Sequence, residues 1–176
     1  MGGVIFRHTV EAFFSEVVDR LHLFTHDELR AQGLWPPRDV DIFAWVTLLR
    51  TTAARLRPDA PVDDALEEVG REMVRGFAES LTGRSLFGLL RMLGPRRAML
   101  RLAENYRTAD SVTEVVTTQV SPTHVRLAYS DTGGVPTYMK GVLAESLERI
   151  GVDARIAFIE SAEGATFDVR WDDVPH

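Results

Sequence analysis

Apolar residues recur at helical spacing along the first half of the chain and alternate with polar ones along the second. Val10, Phe13, Phe14, Val17, Val18 and Leu21 mark one face of an amphipathic helix over about 6–23. Thr25-His26-Asp27-Glu28 has the form of a capping box, in which the Thr and Glu side chains satisfy each other's backbone N–H; Gly33 closes the short helix it opens. After the rigid connector Trp35-Pro36-Pro37, a helix over about 39–56 buries Ile42, Phe43, Trp45, Val46 and Leu49 and stops before Pro58. Pro61 starts another, with Asp63 and Asp64 in the first turn, where carboxylates oppose the helix dipole favourably. It runs towards Gly83, showing Leu66, Val69, Met73, Phe77 and Leu81. Two shorter helices, about 84–93 and 95–105, are separated by Gly94-Pro95.

From residue 111 the period changes. VTEVVTTQV is rich in β-branched residues, and HVRLAYS alternates Val125, Leu127 and Tyr129 with polar positions, so the two form a hairpin around Ser121-Pro122-Thr123. A helix over 137–150 is closed by Gly151, and the strands ARIAFIE and TFDVRW flank Ser161-Ala162-Glu163-Gly164. Helices followed by ββαββ predict an α+β fold: one domain, 1–176, with a helical lobe over about 1–108 and an antiparallel ββαββ lobe over about 109–176.

Composition narrows the function classes. Of 176 residues, 45% are hydrophobic and 26% charged, ordinary for a soluble domain. The absence of cysteine excludes disulfides, thiolate metal sites and a cysteine nucleophile. MGGVIFRHTVEAFF lacks the pattern of a signal peptide, and no stretch approaches the length of a membrane span, so a cytoplasmic protein is expected. Charge is unevenly placed: residues 71–107 hold eight basic and three acidic side chains, although the whole chain carries −6. Overall acidity argues against a nucleic-acid partner. Nineteen of the twenty basic residues are arginine, Lys140 being the exception. A GC-rich coding bias accounts for that preference; an anion-binding face is the functional alternative.

Motifs for catalysis are lacking. His22 and His26 are four apart, but the capping threonine between them takes them off one helical face. No G-x-S-x-G elbow is present, and His124 lies on a hairpin beside no evident serine nucleophile. Gly83-Arg84-Ser85 and Gly133-Gly134 match neither the phosphate loop nor the dinucleotide fingerprint. Asp63, Asp64, Glu67, Glu68 and Glu72 lie in helical register with arginines and read as a solvated face. Neither an enzyme nor a metal site is expected. Binding has more in its favour. Trp45, Phe77, Tyr129 and Tyr138 belong to a set of aromatic and soft apolar residues that forms core or lines a pocket between helices and sheet, with Arg84, Arg107 or Lys140 orienting an acidic group.

Some of these residues carry a resemblance. Gly70, Gly76-Phe77, Thr82-Gly83-Arg84, Leu93-Gly94-Pro95-Arg96-Arg97, Asn105-Tyr106-Arg107-Thr108, Lys140-Gly141-Val142-Leu143 and Val169-Arg170-Trp171 resemble a paralogous family of uncharacterised myxobacterial proteins over nearly the whole chain. More remotely, glycine-punctuated helices followed by ββαββ, with Tyr138-Met139-Lys140-Gly141 entering the crossing helix, are similar to haem-NO-binding domains and to the related 4-vinyl-reductase and trafficking-complex-like domains. That resemblance implies a ligand cavity, often apolar, between the helices and a curved sheet. Its haem-binding members use an axial histidine soon after the stretch matching Gly83–Leu93, and a Tyr-x-Ser-x-Arg motif on the strand matching Leu127–Gly133. This chain has no histidine between His26 and His124, and counting from Tyr129 it has Asp131 and Gly133 where serine and arginine are expected. No haem or other cofactor is therefore expected. Two readings stay open: a sensor or adaptor domain in bacterial signalling that binds a small, mostly apolar or acidic ligand, and an interaction module, a homodimer or partner-binding domain, using helix faces such as Phe13, Phe14 and Val17.

Overall fold

The computed structural model describes residues 3–106, 111, 113–130, 133–161 and 164–172, with the side chains of all but 102–106 and 161. Strand β1 (Val4–Ile5) leads into α1 (Arg7–Phe13). The amphipathic run expected as one helix then widens into a π-helical stretch, Phe14–Asp19, and ends at His22 with φ 52°. A widened turn displaces carbonyls from the regular ladder. Here the Glu16 carbonyl accepts a hydrogen bond from Arg20 Nε at 2.7 Å, while Arg20 Nη2 donates to the Glu72 carbonyl at 3.1 Å and to the Glu72 carboxylate. The apolar face nevertheless stays inward. Phe13, Phe14 and Val17 are buried completely or nearly so, which removes them as a partner-binding surface.

Helix α2 (His26–Ala31) opens on the expected capping box: Glu28 N–H donates to Thr25 Oγ1 at 3.2 Å, and Thr25 N–H to Glu28 Oε2 at 2.7 Å. Strand β2 (Val40–Asp41) pairs antiparallel with β1, and Asp41 caps α3 (Ile42–Leu56) through the Ala44 N–H at 2.8 Å. Phe43, expected in the core, is 79% exposed, because the inward stripe of α3 runs through Trp45, Leu48, Leu49 and Thr52. Helix α4 (Val62–Glu79) stops short of Gly83 because Ser80 leaves helical geometry; its Oγ accepts from the Gly83 N–H at 3.0 Å and caps α5 (Leu81–Leu93). Gly94, at φ 77°, separates α5 from α6 (Pro95–Tyr106).

Strands β3 (Val115–Ser121), β4 (His124–Tyr129), β5 (Ala154–Ser161) and β6 (Gly164–Trp171) form an antiparallel sheet in the order β3-β4-β6-β5, with α7 (Pro136–Arg149) between β4 and β5. Val125 faces Val169, Leu127 faces Phe167 and Tyr129 faces Ala165, so alternate residues form a buried apolar face. This is the expected α+β arrangement of helical lobe and antiparallel sheet.

Two apolar cores result. One gathers α1, the π-helical stretch, α2, α3 and the first half of α4. The other lies between the sheet and α5, α6, α7 and the second half of α4. Helix α4 thus belongs to both lobes, and its contact with α7 joins them. Glycine makes that contact close: a Cβ on Gly70 would overlap the Tyr138 carbonyl oxygen, and one on Gly141 would overlap the Glu67 carbonyl oxygen.

Candidate functional site

The seam between the two cores runs past Tyr138, at the start of α7, which packs against both. Its ring meets the edge of Trp45 at a centroid distance of 6.5 Å, and Trp45 meets Phe13 at 5.1 Å. Of the residues the sequence nominates, Trp45 and Tyr138 are therefore brought together. Phe77 and Tyr129 sit in the second core, Phe77 edge-on to Phe87 at 6.3 Å and Tyr129 edge-on to Phe167 at 5.2 Å. Arg84 is exposed and donates from Nε and Nη2 to the Glu79 carbonyl at 3.0 and 2.8 Å, which ties the α4–α5 turn. Lys140 Nζ donates to Glu67 Oε2 at 2.7 Å across the α4–α7 contact. Arg107 lies outside the described residues. Four recesses bounded by described residues open elsewhere on the surface, and Trp45, Phe77 and Tyr138 line none of these four.

Periodicity concealed an ion-pair network beside this seam. The acids of α4, expected as a solvated face, partly turn inward instead. Glu145 on α7 is 4% exposed and accepts from Arg75 Nε at 3.1 Å and Arg149 Nε at 2.9 Å. Arg75 Nη1 also donates to Glu68 and Glu72, each at 2.6 Å, and Arg71 Nη1 reaches Glu148 at 2.8 Å. Burial alone would raise the Glu72 carboxyl pKa, but hydrogen bonds from Arg20 and Arg75 hold it below its ordinary value. Three elements distant in sequence converge here, so no local pattern announces the network.

A second polar cluster lies on the outer face of the sheet. His124 Nε2 and Asp168 Oδ1 are 2.6 Å apart, and Arg126 donates to the same carboxylate from Nε and Nη2 at 3.2 and 3.1 Å. The His124 hydrogen bond is the main cause of a lowered Asp168 pKa, with Arg126 adding to it. Ser121 borders the same recess as His124, but its Oγ accepts from the Thr123 N–H at 3.3 Å and makes no hydrogen bond to the imidazole. The cluster is an ion pair rather than an activated serine. Among the described residues, no group of three or more histidines and carboxylates is placed to hold a metal ion. No helix among them is long and apolar enough to cross a membrane.

Haem demands an inward-facing axial donor and cationic partners for its acid groups. Helix α6, which follows Leu93, turns Ala98 and Met99 inward and contains no histidine. His124 points to the outer face of the sheet, and the other described histidines, His8, His22 and His26, belong to the first lobe. Tyr129 is packed on Phe167, Gly133 has no side chain, and Asp131 lies outside the described residues. Among the described residues no histidine is placed to ligate a haem iron, and the serine and arginine of the gripping motif are missing from the sequence, so the described residues do not fit haem.

Comparison with solved structures places the fold. The chain is similar to the Fe(II) unliganded H-NOX protein from K. algicida, with 16% identity, TM-score 0.63 and coverage of 98% of this chain and 99% of that one. It is similar to a mutant H-NOX from T. tengcongensis at 17% identity and TM-score 0.60, covering 95% and 97%. A structure described as modulating haem redox potential through protein-induced porphyrin distortion matches at 17% identity and TM-score 0.62, covering 97% and 96%. At such identities the likeness establishes an H-NOX-like fold alone. No curated protein matches the chain. A family model described as "Protein of unknown function (DUF2378)" matches residues 3–172, and the chain belongs to that family.

Proposed function

We propose that the chain is a non-catalytic sensor or adaptor domain of cytoplasmic signalling, which holds a small, mostly apolar ligand other than haem between its helices and sheet. The observation that carries this reading is the position of Tyr138, packed against both cores at the seam of an H-NOX-like fold. Trp45, Phe77, Tyr129 and Tyr138 are the apolar groups on the two sides of the seam. Arg84, Arg107 and Lys140 are the cations assigned to an acidic group, Lys140 exchanging Glu67 for it. Because the Trp45 and Tyr138 rings already meet, the ligand displaces Tyr138 rather than occupying a standing void. Native mass spectrometry of protein purified from its own host tests this. A retained small organic molecule is expected; a retained haem with its Soret absorbance, or protein with nothing bound, counts against it.

A second reading, an interaction module without a small ligand, is favoured by α5. Leu81, Leu89 and Met92 are 82%, 49% and 85% exposed and recur at helical spacing on one face, around an open Gly88. On that reading the same experiment returns a bare dimer, and Leu89→Glu with Met92→Glu dissociates it.

A further inference from the structure

A recess of about 550 Å³ opens where the α5–α6 break meets the turn after α7 and the end of β6. That volume is within the range of pockets that hold small molecules. One wall carries Arg91, Arg96 and Arg97, and the floor is formed by Ile150, Val152 and Trp171. Ile150 and Trp171 belong to the second core, so the floor is held in place from beneath. Arg91 is fixed by donating to the Arg149 carbonyl at 2.7 Å. Arg96 and Arg97 are exposed and pair with no described residue. On the two lips, Gly94 and Gly151 have φ 77° and 83°, and no atom lies within 4 Å of where a Cβ would stand, which leaves the mouth open. Asp153 and Asp172 stand at the far side, where an adjoining recess of about 370 Å³ adds Arg155 and Arg170. Asp172 is 3.7 Å from Arg155. Three arginines and two aspartates thus line this recess, and two further arginines line the adjoining one, in a protein whose net charge of −6 offers anions no general attraction.

We propose that this recess binds a small amphipathic anion: a carboxylate or phosphate monoester on an apolar chain or ring. The head group lies on Arg96 and Arg97, whose planar forks match either anion bidentately. The apolar part lies on Ile150, Val152 and Trp171, away from water. The site stands apart from the seam at Tyr138 and does not depend on it.

Decanoate, decyl phosphate, acetate and decyltrimethylammonium are titrated calorimetrically into the whole chain, and amide resonances are followed in parallel. Decanoate or decyl phosphate is expected to bind one to one and to shift the Gly94 and Gly151 amides; the tighter of the two identifies the head group. Replacing both Arg96→Ala and Arg97→Ala is expected to weaken binding at least tenfold. Both side chains are exposed, and an unchanged unfolding midpoint verifies that the fold survives. Val152→Asn weakens the long-chain anions and leaves acetate unaffected. Four results would overturn the proposal: no binding of either long-chain anion, full affinity in the double variant, equal binding of the ammonium amphiphile or acetate, or shifts confined to the surroundings of Tyr138.

Discussion

Gly70 on α4 lies against the backbone of Tyr138 on α7 so closely that a single added methyl would overlap the Tyr138 carbonyl oxygen. The atoms it would meet, the Tyr138 carbonyl and the Val142 amide nitrogen, are main chain and cannot rotate away. Gly70→Ala is therefore expected to lower stability by about 1–3 kcal/mol, although alanine is the better helix former. Gly88, inside α5, has no atom within 4 Å of the place a Cβ would take, so Gly88→Ala is expected to raise stability by about 1 kcal/mol. Urea unfolding of the two variants beside the parent measures both signs.

Glu145 is the buried member of the α4–α7 network. Glu145→Gln keeps the volume and removes the charge that Arg75 and Arg149 bond, with a loss of about 2 kcal/mol expected for a charged hydrogen-bonded group. The arginines are partly exposed and can turn to water, which keeps the cost below that of a fully buried pair. A double-mutant cycle with Arg75→Gln isolates the coupling: the double variant is expected to lose less than the sum of the two single losses.

Acid acts on the capping box. Hydrogen bonds from Arg55 first, and from Thr25 next, hold the Glu28 carboxyl at about 2 against an ordinary 4.5. A pKa depressed by folding contributes stability that is present above about 4.5 and is lost as the pH falls through about 2. Carboxyl NMR titration should give Glu28 a midpoint near 2, and the Glu28→Gln variant should show a flatter stability profile across that window.

Tyr138→Ala is expected to lower stability by about 2–3 kcal/mol and leave a void at the seam. Such a void, lined by Trp45 and apolar neighbours, should admit a small apolar probe. Indole is a suitable probe: the thermal unfolding midpoint in its presence should rise for Tyr138→Ala and stay constant for the parent. Haemin added to either protein should give no one-to-one complex with a sharp Soret band.

Much of the fold can be read in the chain because its signals are local. Thr25 and Glu28 are three residues apart and form the box their spacing predicts, and the alternation of Val125, Leu127 and Tyr129 gives the buried face of β4. The π-helical stretch escapes such reading, since Phe13, Phe14, Val17 and Val18 look the same on either kind of turn, and the bond of Arg20 to Glu72, 52 positions away, is a tertiary event. Strands β1 and β2, two residues each, are too short to carry a period. At the seam, aromatic composition nominated Trp45, Phe77, Tyr129 and Tyr138 as one set without separating the two that meet, Trp45 and Tyr138, and Lys140 could not be matched with Glu67, 73 positions away, before α4 and α7 were seen to pack. The recess beneath Arg96 and Arg97 needs residues from four separate stretches, so only the excess of basic charge over 71–107 hinted at it.

Helix α7 begins beside Tyr138 and ends beside Ile150, about 18 Å away at a rise of 1.5 Å per residue. It is clamped to α4 through glycine backbones, so it moves as a lever with little slack rather than as a soft spring. The seam is at one end of that lever and the arginine recess at the other. Were an occupant at one end to shift the helix, linkage would require the influence between the two ends to be equal in both directions.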